Sequence, residues 1–238
     1  DVIHTHDWHT AAIPFLCRTF YSYREEFRAI KQVFTIHNLA FQGIFNEHYL
    51  WAALGMDHGY YRDGVARFHD DCISFMKLGI LYADKVTTVS ETYAKEILTE
   101  EFGENMQHVL ELRHHDLCGI VNGIDYDVWN SKTDQYLVKN YDLATIADKK
   151  ANKLALQAQF GLPQDEHVIL VGIVSRLTWQ KGMDLLVGAI DAIVAKNVRV
   201  VILGSGDAGL EATLYAKQHQ HPTHVAIHTG YDESLSHL

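Results

Sequence analysis

Long apolar runs are missing from this sequence. The most extended, Val168 to Val174, falls far short of the ~20 residues that a membrane-spanning helix needs. The opening residues Asp1-Val2-Ile3-His4 carry neither a basic region followed by an apolar stretch nor a cleavage site, so no signal peptide is visible. There is no initiator Met; the chain opens inside what reads as a strand and closes at 232–238 as a helix begins, so both ends read as cut. Cysteine is scarce: 3 residues (Cys17, Cys72 and Cys118), far apart and without a Cys-x-x-Cys, fit free thiols in a reducing cytosol. Basic charge is in deficit, with 20 Lys and Arg against 30 Asp and Glu, a formal net charge of -10. This argues against nucleic acid as a main partner, since phosphate binding wants a basic face, and an anionic ligand needs a locally positive pocket. No Walker-type Gly-Lys-Ser/Thr, internal repeat or low-complexity tract occurs.

What is present is the composition of a globular α/β protein, 47% hydrophobic and 21% charged. The second half has the clearer rhythm. Val168 to Val174 is a continuous, β-branched apolar run, which predicts a strand buried on both faces. Met183 to Lys196 follows with helical spacing, then a strand at Val198 to Leu203, another helical stretch and a strand at Val225 to Gly230. Strands separated by helices in this way predict right-handed βαβ units and a parallel sheet. In the first half Val2 to His4, Gln32 to His37, Lys85 to Val89 and Gly119 to Val121 read as strands. Helices are expected over parts of 10–29, 71–82 and 91–102. The aromatic-rich stretch 38–69 is long for a connection, the kind of loop that carries function. The turn-forming cluster Asn122-Gly123-Ile124-Asp125 marks a domain boundary within 122–130, and the next helix stops at Gly161 ahead of Pro163.

Three groupings could carry chemistry. Arg176 and Lys181 fall in the loop after the Val168–Val174 strand, just before a helix. In parallel sheets ligands bind beyond the carboxyl ends of strands, and a helix N-terminus adds free N–H groups. The two cations then form either a diphosphate clamp or a solvated loop with ordinary basic residues. The turn Gly204-Ser205-Gly206-Asp207 either lets backbone approach a ligand or is a plain tight turn. His4, His6 and His9 invite a metal-dependent hydrolase reading, although their spacing fits no established signature and His is abundant at 16 residues.

A set of segments, taken together and in order, resembles the bacterial glycogen synthases and plant starch synthases. They are His6-Asp7-Trp8-His9-Thr10, Thr35 to Gly43, Ala83 to Ser90, Val121 to Asp125, Ser175-Arg176-Leu177 with Gln180-Lys181-Gly182, and Leu203 to Asp207. The resemblance covers essentially the whole chain.

It implies a GT-B fold of two Rossmann-like parallel-sheet domains, both incomplete here. Residues 1–121 would be the C-terminal part of the acceptor-side domain, 122–130 a hinge, and 131–238 the N-terminal part of the nucleotide-sugar donor domain. The implied enzyme is a cytoplasmic hexosyltransferase that moves glucose from ADP-glucose to the non-reducing 4-OH end of an α-1,4-glucan. It retains anomeric configuration and uses no metal and no cofactor. By the same resemblance Arg176 and Lys181 bind the donor diphosphate, His37 lies beside the donor glucose and Asp7 near the reacting centre. Asn38 and Asn122 contact the sugar, Gly204 belongs to a loop near the donor, and Tyr231 stacks on the adenine. Nucleic acid and membrane are not implied partners. The family's Lys-x-Gly-Gly-Leu donor loop and its C-terminal paired glutamates are absent from this sequence, so the isolated chain is expected to be inactive. A metal-dependent hydrolase using His4, His6 and His9, or a non-catalytic nucleotide- or glucan-binding protein, are the alternatives.

Overall fold

The computed structural model describes residues 1–57 and 59–238; residue 58, within the stretch 38–69, lies outside the described residues. The chain divides into two compact units, Asp1–Gly123 and Ile124–Leu238.

The first unit begins with β1 (Val2–His6), three short helices α1 (Asp7–Thr10), α2 (Ala12–Arg18) and α3 (Glu25–Ala29), and β2 (Lys31–Ile36). Then come β3 (Ile44–Asn46), α4 (Tyr49–Leu54), α5 (Gly59–Arg62), β4 (Cys72–Ser74), α6 (Phe75–Tyr82) and β5 (Lys85–Thr88). It closes with α7 (Glu91–Glu96), α8 (Gln107–Glu111) and β6 (Leu117–Gly119). Strands β1, β2, β5 and β6 form a parallel sheet in the order β1-β2-β5-β6. Phe34, Ile36 and Val86 from that sheet pack with Phe15, Met76, Leu78 and Ile80 into one core. Helices α6 and α7 start where Ser74 and Ser90 accept the backbone N–H of Lys77 and Tyr93, satisfying donors that the first turn cannot pair internally. Two features differ from the sequence expectation. Strands β3 and β4 form an antiparallel pair within and just after the long aromatic stretch. The last strand stops at Gly119, leaving Ile120 and Val121 60% and 70% exposed after the Ile120 N–H donates to Thr88.

The second unit opens with an irregular, Asx-rich segment. It then forms α9 (Lys149–Gln159), β7 (Ile169–Val174), α10 (Met183–Val194), β8 (Val198–Gly204), α11 (Ala208–Gln220), β9 (Val225–Thr229) and α12 (Glu233–His237). The irregular segment is tied down by His237, whose side chain is 1% exposed. Its Nδ1 lies 2.6 Å from Asp134 Oδ2 and its ring stacks on Trp129 at 3.8 Å. Strands β7, β8 and β9 are all parallel in that order, so β8 is central. Val200 and Ile202 point into one core with Ile190 and Leu214, whereas Val201 packs on the other face with Leu162 and Ala226.

The expectation that Val168 to Val174 is buried on both faces is corrected. β7 ends the sheet, and no strand among the described residues pairs with its outer edge. Ile169 and Val174 are 64% and 61% exposed. An apolar run reports what side chains prefer; burial also needs neighbours, and here β8 has them on both sides and β7 on one. Among the described residues no helix is long and apolar enough to cross a membrane.

Candidate functional site

In the first unit the parallel register of β1 and β2 sets His6 opposite Thr35, so the residues following both strands emerge side by side. Asp7 takes a positive φ of 52° immediately after β1. That is an uncommon backbone for a residue with a side chain, and such strain concentrates at functional sites. The turn swings the Asp7 carboxylate across to the next loop, where Oδ1 accepts the backbone N–H of His37 at 2.8 Å and of Asn38 at 3.4 Å. Helix α1 begins at Asp7 itself and has no side-chain cap. Asn38 Oδ1 accepts the Ala40 N–H at 3.0 Å, so that oxygen shapes the turn.

The histidines line up along the strand ends. His4 Nε2 lies 2.7 Å from Thr35 Oγ1, which in turn lies 2.6 Å from Thr87 Oγ1. The His4 and His6 rings approach to 4.2 Å between centroids, and His6 Nδ1 lies 3.0 Å from His37 Nε2. Desolvation, then the neighbouring His4 and His37, depress the His6 pKa below the ordinary imidazole range, with Asp7 pulling weakly the other way. The expected trio His4, His6 and His9 does not converge. His9 stacks on Trp8 at 4.0 Å, and His37 occupies the place beside His6. Among the described residues no three His, Cys, Asp or Glu side chains are arranged to hold a metal ion, so the hydrolase reading is not favoured.

In the second unit a cavity of about 230 Å³ opens where the loops after β7, β8 and β9 meet. It brings together Arg176, Gly204 and Tyr231, with Ser205, Gly230 and Asp232 beside them. This is the position at which open parallel sheets bind ligands. Tyr231 is 84% exposed, an unusual state for a large aromatic ring with no covering element. Gly204 and Gly206 have a reason to be glycine. A Cβ at Gly204 would fall 1.8 Å from the Ser175 carbonyl oxygen, and one at Gly206 2.2 Å from that of Leu177. The two loops are laced together by Ser175 N–H to Leu203 O, Leu177 N–H to Ser205 O and Asp207 N–H to Leu177 O. The glycines thus serve the approach of the loop that carries Arg176 along the cavity.

Lys181 sits on a single 3-10 turn, Trp179–Lys181, directly before α10 and outside the lining of that cavity. Among the described residues neither Arg176 nor Lys181 has a hydrogen-bonded or ionic side-chain partner. Asn122 is exposed, next to the point where the two units divide, and its side chain makes no hydrogen bond among the described residues. The sequence reading selected His6 only within the His4, His6 and His9 trio and not as a partner of His37. Its signal was the His-x-His alternation at the end of a parallel strand, which places both rings on one face.

Residues 1–112 match the family model described as starch synthase catalytic domain. The chain is 44% identical over 236 residues to a glycogen synthase of Streptococcus sanguinis, covering 99% of this chain and 49% of that protein. It is 45% identical over 237 residues to a glycogen synthase of Clostridium perfringens, covering 100% of this chain and 49% of that one. Over its whole length the chain is thus similar to glycogen and starch synthases. Its structure superposes with a TM-score of 0.87, at 31% identity, on the catalytic domain of starch synthase IV from Arabidopsis thaliana bound to ADP and acarbose. That match covers 100% of this chain and 49% of the other. The fold is accordingly of the GT-B type, built on parallel α/β sheets. The chain spans about half the length of the curated relatives it matches.

Proposed function

We propose that the protein transfers glucose, with retention, from ADP-glucose to the non-reducing 4-OH end of an α-1,4-glucan, acting in the cytoplasm. In this reading residues 1–121 belong to the acceptor-side domain, 131–238 to the donor domain, and 122–130 act as the hinge. The observation that carries it is the cavity at the carboxyl ends of β7, β8 and β9. Arg176, which has no side-chain partner among the described residues, and the exposed Tyr231 line it together with the glycine turn. That combination suits a nucleoside diphosphate: an aromatic face for the base and a planar cationic fork for the phosphates. The similarity to a starch synthase bound to ADP supports the same assignment.

The chemistry follows from where charge develops. As the bond between the glucose C1 and the diphosphate oxygen breaks, negative charge accumulates on the departing ADP. Arg176 and Lys181, which no carboxylate neutralises among the described residues, stabilise that charge more than they stabilise intact donor. His37, Asn38 and Asn122 contact the glucose, and Gly204 lets the Arg176 loop sit close.

For the full-length protein, Arg176→Ala or Lys181→Ala should lower turnover roughly 10²–10³-fold, about 2.7–4 kcal/mol of transition-state stabilisation. Glucan extension assayed with ADP-glucose and with UDP-glucose checks both the activity and the base preference. Near-normal turnover in either variant removes that residue from its role, and no extension by the wild type with either donor overturns the reading.

A further inference from the structure

Asp7 holds the backbone of His37 but leaves its side-chain torsions free, so something else must aim the ring. Among the described residues the only hydrogen bond to the His37 imidazole comes from His6, Nδ1 to Nε2 at 3.0 Å. We propose that His6 is a positioning residue for His37, fixing both the orientation of its ring and the nitrogen that carries its proton.

A hydrogen bond between two imidazoles needs one N–H and one bare nitrogen. With both rings doubly protonated, two N–H groups would face each other across the same gap, so the bond ties the protonation of one ring to that of the other. If His37 Nε2 donates, its outward Nδ1 is a bare acceptor; if Nε2 accepts, Nδ1 is the donor. Either way Nδ1 has a single role, with no protein partner among the described residues. His6 can impose this because it is itself held. Its backbone N–H and carbonyl are both bonded to Thr10 Oγ1, at 2.7 and 2.8 Å. Its ring lies against His4, which is anchored through Thr35 to Thr87. The low basicity of His6 keeps it neutral where free histidine would already be charging.

The inference rests on the reading of His37 as a sugar-contacting group, but its first test does not need activity. Long-range 1H–15N NMR of the 238-residue chain should show His37 as one tautomer, with one protonated and one bare ring nitrogen. In His6→Phe the two nitrogen shifts should move toward averaged values; in His6→Asn, whose side-chain amide reaches the place of Nδ1, the single tautomer should return. Averaged shifts in the wild type, or an unchanged His37 in a His6→Phe protein with a native amide spectrum, would overturn the proposal. If His6→Phe does not fold, the wild type and His6→Asn still decide it, since averaged shifts in either count against it. In the full-length protein His6→Phe should lower kcat by up to about 100-fold, the scale of a small misplacement, with the donor KM little changed. A raised KM at normal kcat contradicts the role. A locked tautomer in a wild type that extends no glucan leaves the positioning intact and sinks the functional reading instead.

Discussion

At the residue scale Asp7 shows how a strained backbone can organise a site. Its positive φ turns the carboxylate onto the N–H groups of His37 and Asn38. A carboxylate bonding to backbone N–H groups is a charge-assisted contact, about 1.5–3 kcal/mol. Asp7→Ala should therefore destabilise the first unit by about 2 kcal/mol in urea denaturation, and Asp7→Asn, which keeps the acceptor oxygen, by clearly less. Equal losses in the two variants would place the effect in the backbone turn rather than in the carboxylate. The sequence marked Asp7 and His37 by resemblance, and the physical link between them could not be read from it. That link depends on the in-register pairing of β1 with β2, which joins residues far apart along the chain. Arg176, Gly204 and Tyr231 were easier to place together. Gly204 ends β8, and Arg176 and Tyr231 lie just beyond the ends of β7 and β9; parallel sheets gather the residues at and after the ends of their strands at one edge.

At the scale of elements the informative comparison is between β7 and β8. Both are rich in β-branched apolar residues, and from the sequence it is β7 that reads as buried on both faces. Of the two, among the described residues, β8 has a strand on each side and β7 on one, and Ile202 of β8 is fully buried while Ile169 of β7 is 64% exposed. Pattern alone cannot distinguish them, because the number of neighbours is a property of the sheet and not of the strand. The energetic consequence is asymmetric. Ile202→Ala removes buried methyl groups from a packed core and should cost about 2–5 kcal/mol. Ile169→Thr, made at an exposed edge position, should stay within about 0.5 kcal/mol. Parallel denaturation curves for the two variants check this. A cost at Ile169 comparable to that at Ile202 would mean that β7 is covered in solution. The pair β3–β4 was missed for a related reason: each strand has only three residues, too few for an alternation to register.

At the scale of the whole molecule the two units carry histidines that respond to acid in opposite senses. Burial alone would depress His237, but its hydrogen bonds to Asp134 and Glu233 outweigh that and hold its pKa above the ordinary imidazole range. A raised folded-state pKa means that the native second unit binds a proton more tightly than its unfolded chain. Its contribution is therefore fully present below the ordinary imidazole range and is lost as the pH rises through the raised value. His6 is the reverse case: with its pKa depressed by desolvation and by His4 and His37, against a weak opposing pull from Asp7, the unfolded chain takes up the proton first. The first unit is then weakened as the pH falls below the ordinary imidazole range. The carboxylates held low by their partners, Asp84 in the first unit and Asp191 in the second, titrate in a more acidic window and do not mask this. Unfolding followed by hydrogen exchange between about pH 5 and 8 should thus show the amides around β1 and β2 losing protection on acidification. Those of the Asx-rich segment and α12 should gain it. His237→Gln should abolish the gain in the second unit and leave the first unit's trend untouched, since His6 titrates in its own surroundings. Parallel trends in the two units, or a gain that survives His237→Gln, would show that other groups govern the response.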